Sequence, residues 1–171
     1  FRESAHRIKQ RTNGEVVIKI YPGGVQGDED IVVAKMKSGS LDAAAVTAVG
    51  LSKISSDVLV LQAPGLITNT RKLDKVRRGM QSIFEESIRK GGFEVVGWAD
   101  VGFLNIYSNR PIRTPEDLRE NSVKLWLWNS DPIVPQMAKI LRKTGVSVGV
   151  PDVLPALNTK RINTILGSPY A

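Results

Sequence analysis

Residues 11–42 read RTNGEVVIKIYPGGVQGDEDIVVAKMKSGSLD, and this stretch decides the fold class. Asn13-Gly14 can close a helix, because glycine takes the left-handed position after a helix with no Cβ clash. From Glu15 to Ile20 the apolar residues alternate as in a strand, with Val16, Ile18 and Ile20 on one face. Tyr21-Pro22-Gly23-Gly24 is turn chemistry. Asp28 can cap a second helix in which Ile31, Val32 and Met36 recur at helical spacing, and Gly39 ends it. Leu41 to Val46 restarts as a strand of small residues. Helix, strand, helix, strand is the order of an open α/β domain with a largely parallel sheet.

The rest of the chain follows the same grammar. Helices are predicted at about 2–12, 28–38, 70–90, 115–119, 131–144 and 152–160. Strands are predicted at about 15–20, 41–46, 58–61, 93–99, 103–108, 122–128 and 162–167. Thr114-Pro115-Glu116-Asp117 starts a helix, with proline at its first position and carboxylates at the positive end of the dipole; Asp131-Pro132 repeats that signal. Near Asp100-Val101-Gly102 two strands follow one another across a short break, which is how a chain passes between lobes. A cleft between lobes is a common small-molecule site.

With 171 residues and 42% hydrophobic content the chain can bury a real core. No stretch approaches the roughly 18 apolar residues that a membrane-spanning helix needs. The chain opens inside an amphipathic helix, with Phe1, Ala5 and Ile8 on one side and no signal peptide. It closes on a strand entering a loop, so a piece of a longer protein is expected. The absence of cysteine removes disulfides, thiolate nucleophiles and Cys-based zinc sites together.

The net charge of +7 raises a nucleic-acid-binding domain as an alternative. Its basic residues are scattered, however, and aromatics are only 6% of the chain. The densest group, Arg71, Lys72, Lys75, Arg77 and Arg78, shares a helix with the apolar face Leu73, Val76, Met80, Ile83 and Phe84, as a solvated helix face does. Enzymatic chemistry has little support. His6 is the single histidine, no GxSxG or phosphate-loop spacing occurs, and Asp28-Glu29-Asp30 fits a helix N-terminus better than a cation site. No cofactor is indicated.

The segments RTNGEVVIKIYPGG, GDEDIVVAKMKSGSLDAAAV, LSKISSDVLVLQAPGLI, VGFLNIYSNRPIRTPEDLRENSVKLW and VPDVLPALNTKRINTILGSPYA, in this order, resemble the solute-binding proteins of tripartite ATP-independent periplasmic (TRAP) transporters, of the dicarboxylate-binding-protein type. The resemblance implies a two-lobe α/β architecture, with a first lobe over 1–100 and part of a second over 101–171. It also implies a non-enzymatic periplasmic protein that captures a small organic solute and delivers it to integral-membrane transporter subunits, with no nucleic-acid partner.

Trp126 and Trp128 share a strand face by the two-residue period. They can be core anchors, or they can flank a cleft at the strand's carboxyl end, where open α/β sheets collect ligands, with Asn129 offering an amide. The resemblance places ligand contacts at this strand end. The candidate ligand-binding residues are Trp126, Trp128, Asn129, Phe103, Leu104, Thr47, Gly50, Gly167 and Ser168.

The family's usual carboxylate-gripping arginine corresponds to Trp126, and a second arginine to Leu104. Losing both leaves a small dicarboxylate or a sialic-acid-like ligand with no fixed guanidinium fork, although a subset of the family carries Trp-x-Trp here. Lys124 shares the Trp face but supplies only a point charge. Two indoles beside an amide suit a ligand with an apolar or planar body, or a cation over the rings, better than succinate or malate. Lys160 and Asn163 stand where the family pattern has Gly and Asp.

Overall fold

The computed structural model describes residues 1–169. Its sheet has four strands: β1 (Asn105–Ser108), β2 (Leu125–Trp128), β3 (Gly145–Val148) and β4 (Thr164–Gly167). They are ordered β1-β4-β2-β3. β2 runs parallel to β3 and to β4, whereas β1 runs antiparallel to β4 with Asn105 opposite Gly167. The helices are α1 (Arg2–Arg11), α2 (Glu29–Lys37), α3 (Ala48–Leu51), α4 (Thr70–Lys90), α5 (Val134–Ile140) and α6 (Val153–Asn158).

β3 was not expected. The sequence reading carried a helix through residue 144 and overlooked the alternation of Val146 and Val148 between Gly145 and Gly149. Gly145 is where the pairing needs glycine, since a Cβ there would come within 2.5 Å of the Leu127 side chain and 2.7 Å of the Leu125 carbonyl. The helix ends at Ile140 instead, after Asp131 Oδ1 has accepted the amides of Ile133 (2.6 Å) and Val134 (3.1 Å) ahead of its first turn.

Four expected strands do not form. Residues 58–61 lie inside a 3₁₀ turn, Ser56–Gln62, that buries Val58 completely. A short apolar run has no period that separates strand from helix. Residues 15–20, 41–46 and 93–99 pair with no strand among the described residues. A strand is stable only with a hydrogen-bonding neighbour, and these runs leave Val17 65% and Val96 99% exposed. The helix expected at 115–119 is a 3₁₀ turn, Asp117–Arg119. There Asp117 accepts the amides of Arg113 and Thr114, which hold its carboxyl below the usual carboxylate range.

The N-terminal helices have their own core. Val58, Phe84 and Ile88 are buried against Leu51, Ile54, Met80, Phe93 and Trp98. The Phe84 and Trp98 rings meet at 6.2 Å and 53°. The basic face of α4 stays in solvent, and Arg77 on it is bridged to Asp74 (3.1 Å) and Asp100 (2.8 Å).

The acidic trio at the start of α2 works as helix-terminus chemistry. Asp28 accepts the Glu29 amide. The Glu29 carboxylate reaches across to α3, accepting the Thr47 amide (2.9 Å), the Thr47 hydroxyl (2.9 Å) and the Gly50 amide (2.7 Å). Gly50 allows this approach, because a Cβ there would lie 2.8 Å from the carboxylate.

Of the two departures around α6, Lys160 carries a local conformational cost and Asn163 has a local role. Lys160 sits at φ 56°, the left-handed region that suits glycine. Asn163 links the starts of β4 and β2: its Oδ1 accepts the Lys124 amide (2.8 Å), and its Nδ2 donates to the Ser122 carbonyl (2.8 Å). An ionised Asp could make only the first of these bonds.

Two stability predictions follow from this geometry. Lys160→Gly should stabilise the chain by about 1 kcal/mol, read as a higher urea midpoint, because it relieves a left-handed lysine. Glu29→Ala should cost about 1.5–3 kcal/mol, since it strips a charged acceptor from the α3 amides. An unchanged midpoint in the second variant would mean that the α2–α3 bridge contributes nothing.

Candidate functional site

Parallel pairing sends the carboxyl ends of β2, β3 and β4 to one edge of the sheet. β1 is antiparallel to β4, so its beginning lies on that edge too. Trp128 and Asn129, Gly167 and Ser168, and Phe103 and Leu104 are therefore brought to a common rim. Phe103 and Leu104 are 38% and 57% exposed there, while Ser168 is buried.

The two indoles form one unit. The Trp126 and Trp128 rings stack with centroids 6.2 Å apart and 22° between planes. No third ring fits between them, because a sandwich needs roughly twice the usual 3.5 Å contact spacing. Both residues are half-buried. Their polar edges are committed to the protein: Trp126 Nε1 donates to the Val148 carbonyl at 2.9 Å, and Trp128 Nε1 to Asp28 Oδ2 at 2.7 Å. What the pair can offer a ligand is the outer faces of the rings. The exposed Asn129 accepts the Ser147 hydroxyl on its Oδ1, leaving the amide nitrogen as a donor.

Two residues that the sequence reading did not place at this rim reach it from the N-terminal half. Asp28 brings a carboxylate beside Trp128. Lys53, just after α3, donates to the Ser130 carbonyl at 2.9 Å. Local chemistry already explains Asp28 as a helix cap and assigns no role to Lys53, and nothing local signals a partner 100 residues away.

Thr47 and Gly50, the candidates from that half, have their polar groups taken up by Glu29, and Gly50 is buried. Lys124 is at the opposite end of β2, where its Nζ donates to the Lys160 carbonyl at 2.9 Å. No arginine side chain stands at 126 or 104. His6 is exposed on α1, and no group of three or more His, Cys, Asp or Glu residues suited to a metal occurs among the described residues.

Two open recesses lie away from the rim. One, of about 480 Å³, runs along α1 by Arg7 and Arg11. The other, of about 300 Å³, lies between β1, β4 and the end of α6, by Tyr107 and Asn163. Neither contains a candidate residue. No helix of the described residues is long and apolar enough to cross a membrane.

Residues 2–167 match the family model described as DctP: Bacterial extracellular solute-binding protein, family 7. The chain is 21% identical over 158 residues to the 2,3-diketo-L-gulonate-binding periplasmic protein of Escherichia coli, covering 91% of this chain and 47% of that protein. Among solved structures, a TRAP periplasmic solute binding protein from Citrobacter koseri with bound D-glucuronate superposes with a TM-score of 0.84 at 25% identity, over 98% of this chain and 56% of that one. One from Ralstonia eutropha with bound (S)-2-acetolactate superposes with a TM-score of 0.85 at 25% identity, over 95% of this chain and 52% of that one. The chain thus spans about half the length of the relatives it matches. It belongs to the bacterial extracellular solute-binding proteins of family 7, the DctP family.

Proposed function

We propose that this chain carries the ligand-facing part of a periplasmic, non-enzymatic solute-binding component of a TRAP transporter. It captures a small organic solute between lobes at 1–100 and 101–171 and delivers it to integral-membrane subunits. The observation that carries this reading is the family match across residues 2–167. Support for the position of the seat comes from the strand-end rim that carries Trp126, Trp128, Asn129, Phe103, Leu104, Gly167 and Ser168, where Asp28 bonds Trp128 and Lys53 bonds the Ser130 carbonyl; Thr47 and Gly50, bound to Glu29, are the candidates from the N-terminal half.

The solved relatives include proteins with bound D-glucuronate and β-D-galacturonate. A sugar acid of that kind has a flat C–H face, which an indole platform can cover, and hydroxyls for Asp28 and Asn129. Its carboxylate would meet the single ammonium of Lys53 in place of a guanidinium fork. Small dicarboxylates offer no ring face and need two such grips. The solute class is therefore one with a planar or apolar ring body, or a cation over the rings, rather than succinate or malate.

A thermal-shift panel tests this on a full-length family protein with Trp at both equivalents of Trp126 and Trp128. D-glucuronate, D-galacturonate or an organic cation should raise Tm, while succinate and malate leave it unchanged. Trp126→Ala should abolish the shift, and Trp126→Arg should confer a response to dicarboxylates. Strong stabilisation by succinate before any substitution would sink the ligand assignment.

A further inference from the structure

The helices α2, α3 and α4 pack among themselves, and α5 and α6 pack with the sheet and its flanking turn. The hydrogen bonds of Asp28 and Lys53 cross between these two groups. Two of them end on a single atom: Asp28 Oδ2 accepts the Trp128 indole at 2.7 Å and the Val150 amide at 3.4 Å. The other carboxylate oxygen accepts the Glu29 amide at 2.9 Å, so the carboxylate is fixed on its own helix while it reaches across.

The surroundings are shaped for this approach. A Cβ at Gly149 would lie 3.1 Å from Asp28 Oδ2, and one at Gly24 would lie 3.1 Å from the Pro151 ring. Nearby, Lys53 is bound at both its side chain and its backbone, with Nζ on the Ser130 carbonyl and its own carbonyl accepting Lys37 Nζ at 2.7 Å.

We propose that Asp28 is the positioning residue of the binding site: its carboxylate clasps Trp128, so that the orientation of the indole platform and the seating of the two halves are set by one hydrogen-bonded group. The inference takes the Trp126–Trp128 pair as the ligand seat from the function proposed above. A helix cap needs only one acceptor near its own first turn. The second oxygen of Asp28 is used 100 and 122 residues away, on the ring whose stacking on Trp126 forms the platform. Trp126 is held independently by Val148. Release of Asp28 therefore frees one ring of the pair and not the other.

The test needs no ligand. Asp28→Ser keeps a capping hydroxyl but is too short to reach the indole, so it separates the clasp from the helix cap. The readouts are indole N–H exchange by NMR and the distance between spin labels on Lys75→Cys and Lys139→Cys, in a chain that has no other cysteine.

In Asp28→Ser the Trp128 indole N–H should exchange roughly ten- to a hundred-fold faster, the range a hydrogen bond to a charged acceptor is worth. The Trp126 N–H should keep its protection, and the label distance should broaden. Trp128→Phe, which keeps a ring but lacks the donor, should broaden the distance equally, and the double variant no further. Unchanged Trp128 exchange in Asp28→Ser would overturn the proposal, as would a narrow distribution in Trp128→Phe. Should Asp28→Ser also expose Trp126, and so prove unfolded, the Trp128→Phe distances decide alone. A failure here leaves the solute-binding reading standing, and a failed ligand panel leaves the clasp standing.

Discussion

Parallel pairing of β2 with β3 and β4 is the constraint on which the site depends. A parallel ladder aligns strand directions, so three carboxyl ends must emerge on one edge, and the connections between them must cross over on the faces. α5 makes the crossover from β2 to β3, and α6 the crossover from β3 to β4. The antiparallel β1 then contributes its beginning rather than its end to the same rim. Residues as far apart in sequence as Phe103 and Ser168 become neighbours of a single edge without any long-range interaction chosen for that purpose.

That edge has a polarity problem, which the tryptophans solve. In the order β1-β4-β2-β3, β3 is an outer strand among the described residues, and Val148 is its last residue. The Trp126 indole donates to the Val148 carbonyl. Trp128, two residues on, stacks on Trp126 and turns its own donor to a carboxylate from the other half of the chain. The pair thus seals an edge strand, buries apolar area between its rings and spans the seam between the two halves. Half-burial of both rings is the expected result when one ring face serves the fold and the other is left at the rim.

Much of this was legible in the sequence because it rests on local chemistry. The alternation and cap signals located α1, α2 and α4 within two residues, and the period of two put both tryptophans on one face. What failed was pairing. Residues 15–20, 41–46 and 93–99 have strand composition, but composition does not supply a neighbour, and they have none among the described residues. β3 was missed because the helix starting at Asp131-Pro132 was extended to residue 144, past its actual end at Ile140, and the short alternation from Gly145 to Val148 was passed over. Asp28 shows the deeper limit. A residue that already satisfies a local rule gives no sign that its other oxygen has a distant partner.

In the proposed seat, position 126 carries an indole where the family resemblance implies an arginine, and the two side chains offer a solute different chemistry. A guanidinium offers a planar fork whose charge-assisted bonds are each worth about 1.5–3 kcal/mol, and it demands a carboxylate in one orientation. An indole already bonded to Val148 offers no spare donor, only ring area that tolerates many orientations. Orientation must then come from elsewhere on the rim, from the Asn129 amide, the Asp28 carboxylate and the Lys53 ammonium. Of these, Asp28 and Lys53 belong to the opposite half of the chain. On the proposed reading, a site built this way would take its solute only with the two groups of elements seated together, so specificity and seating would be one property.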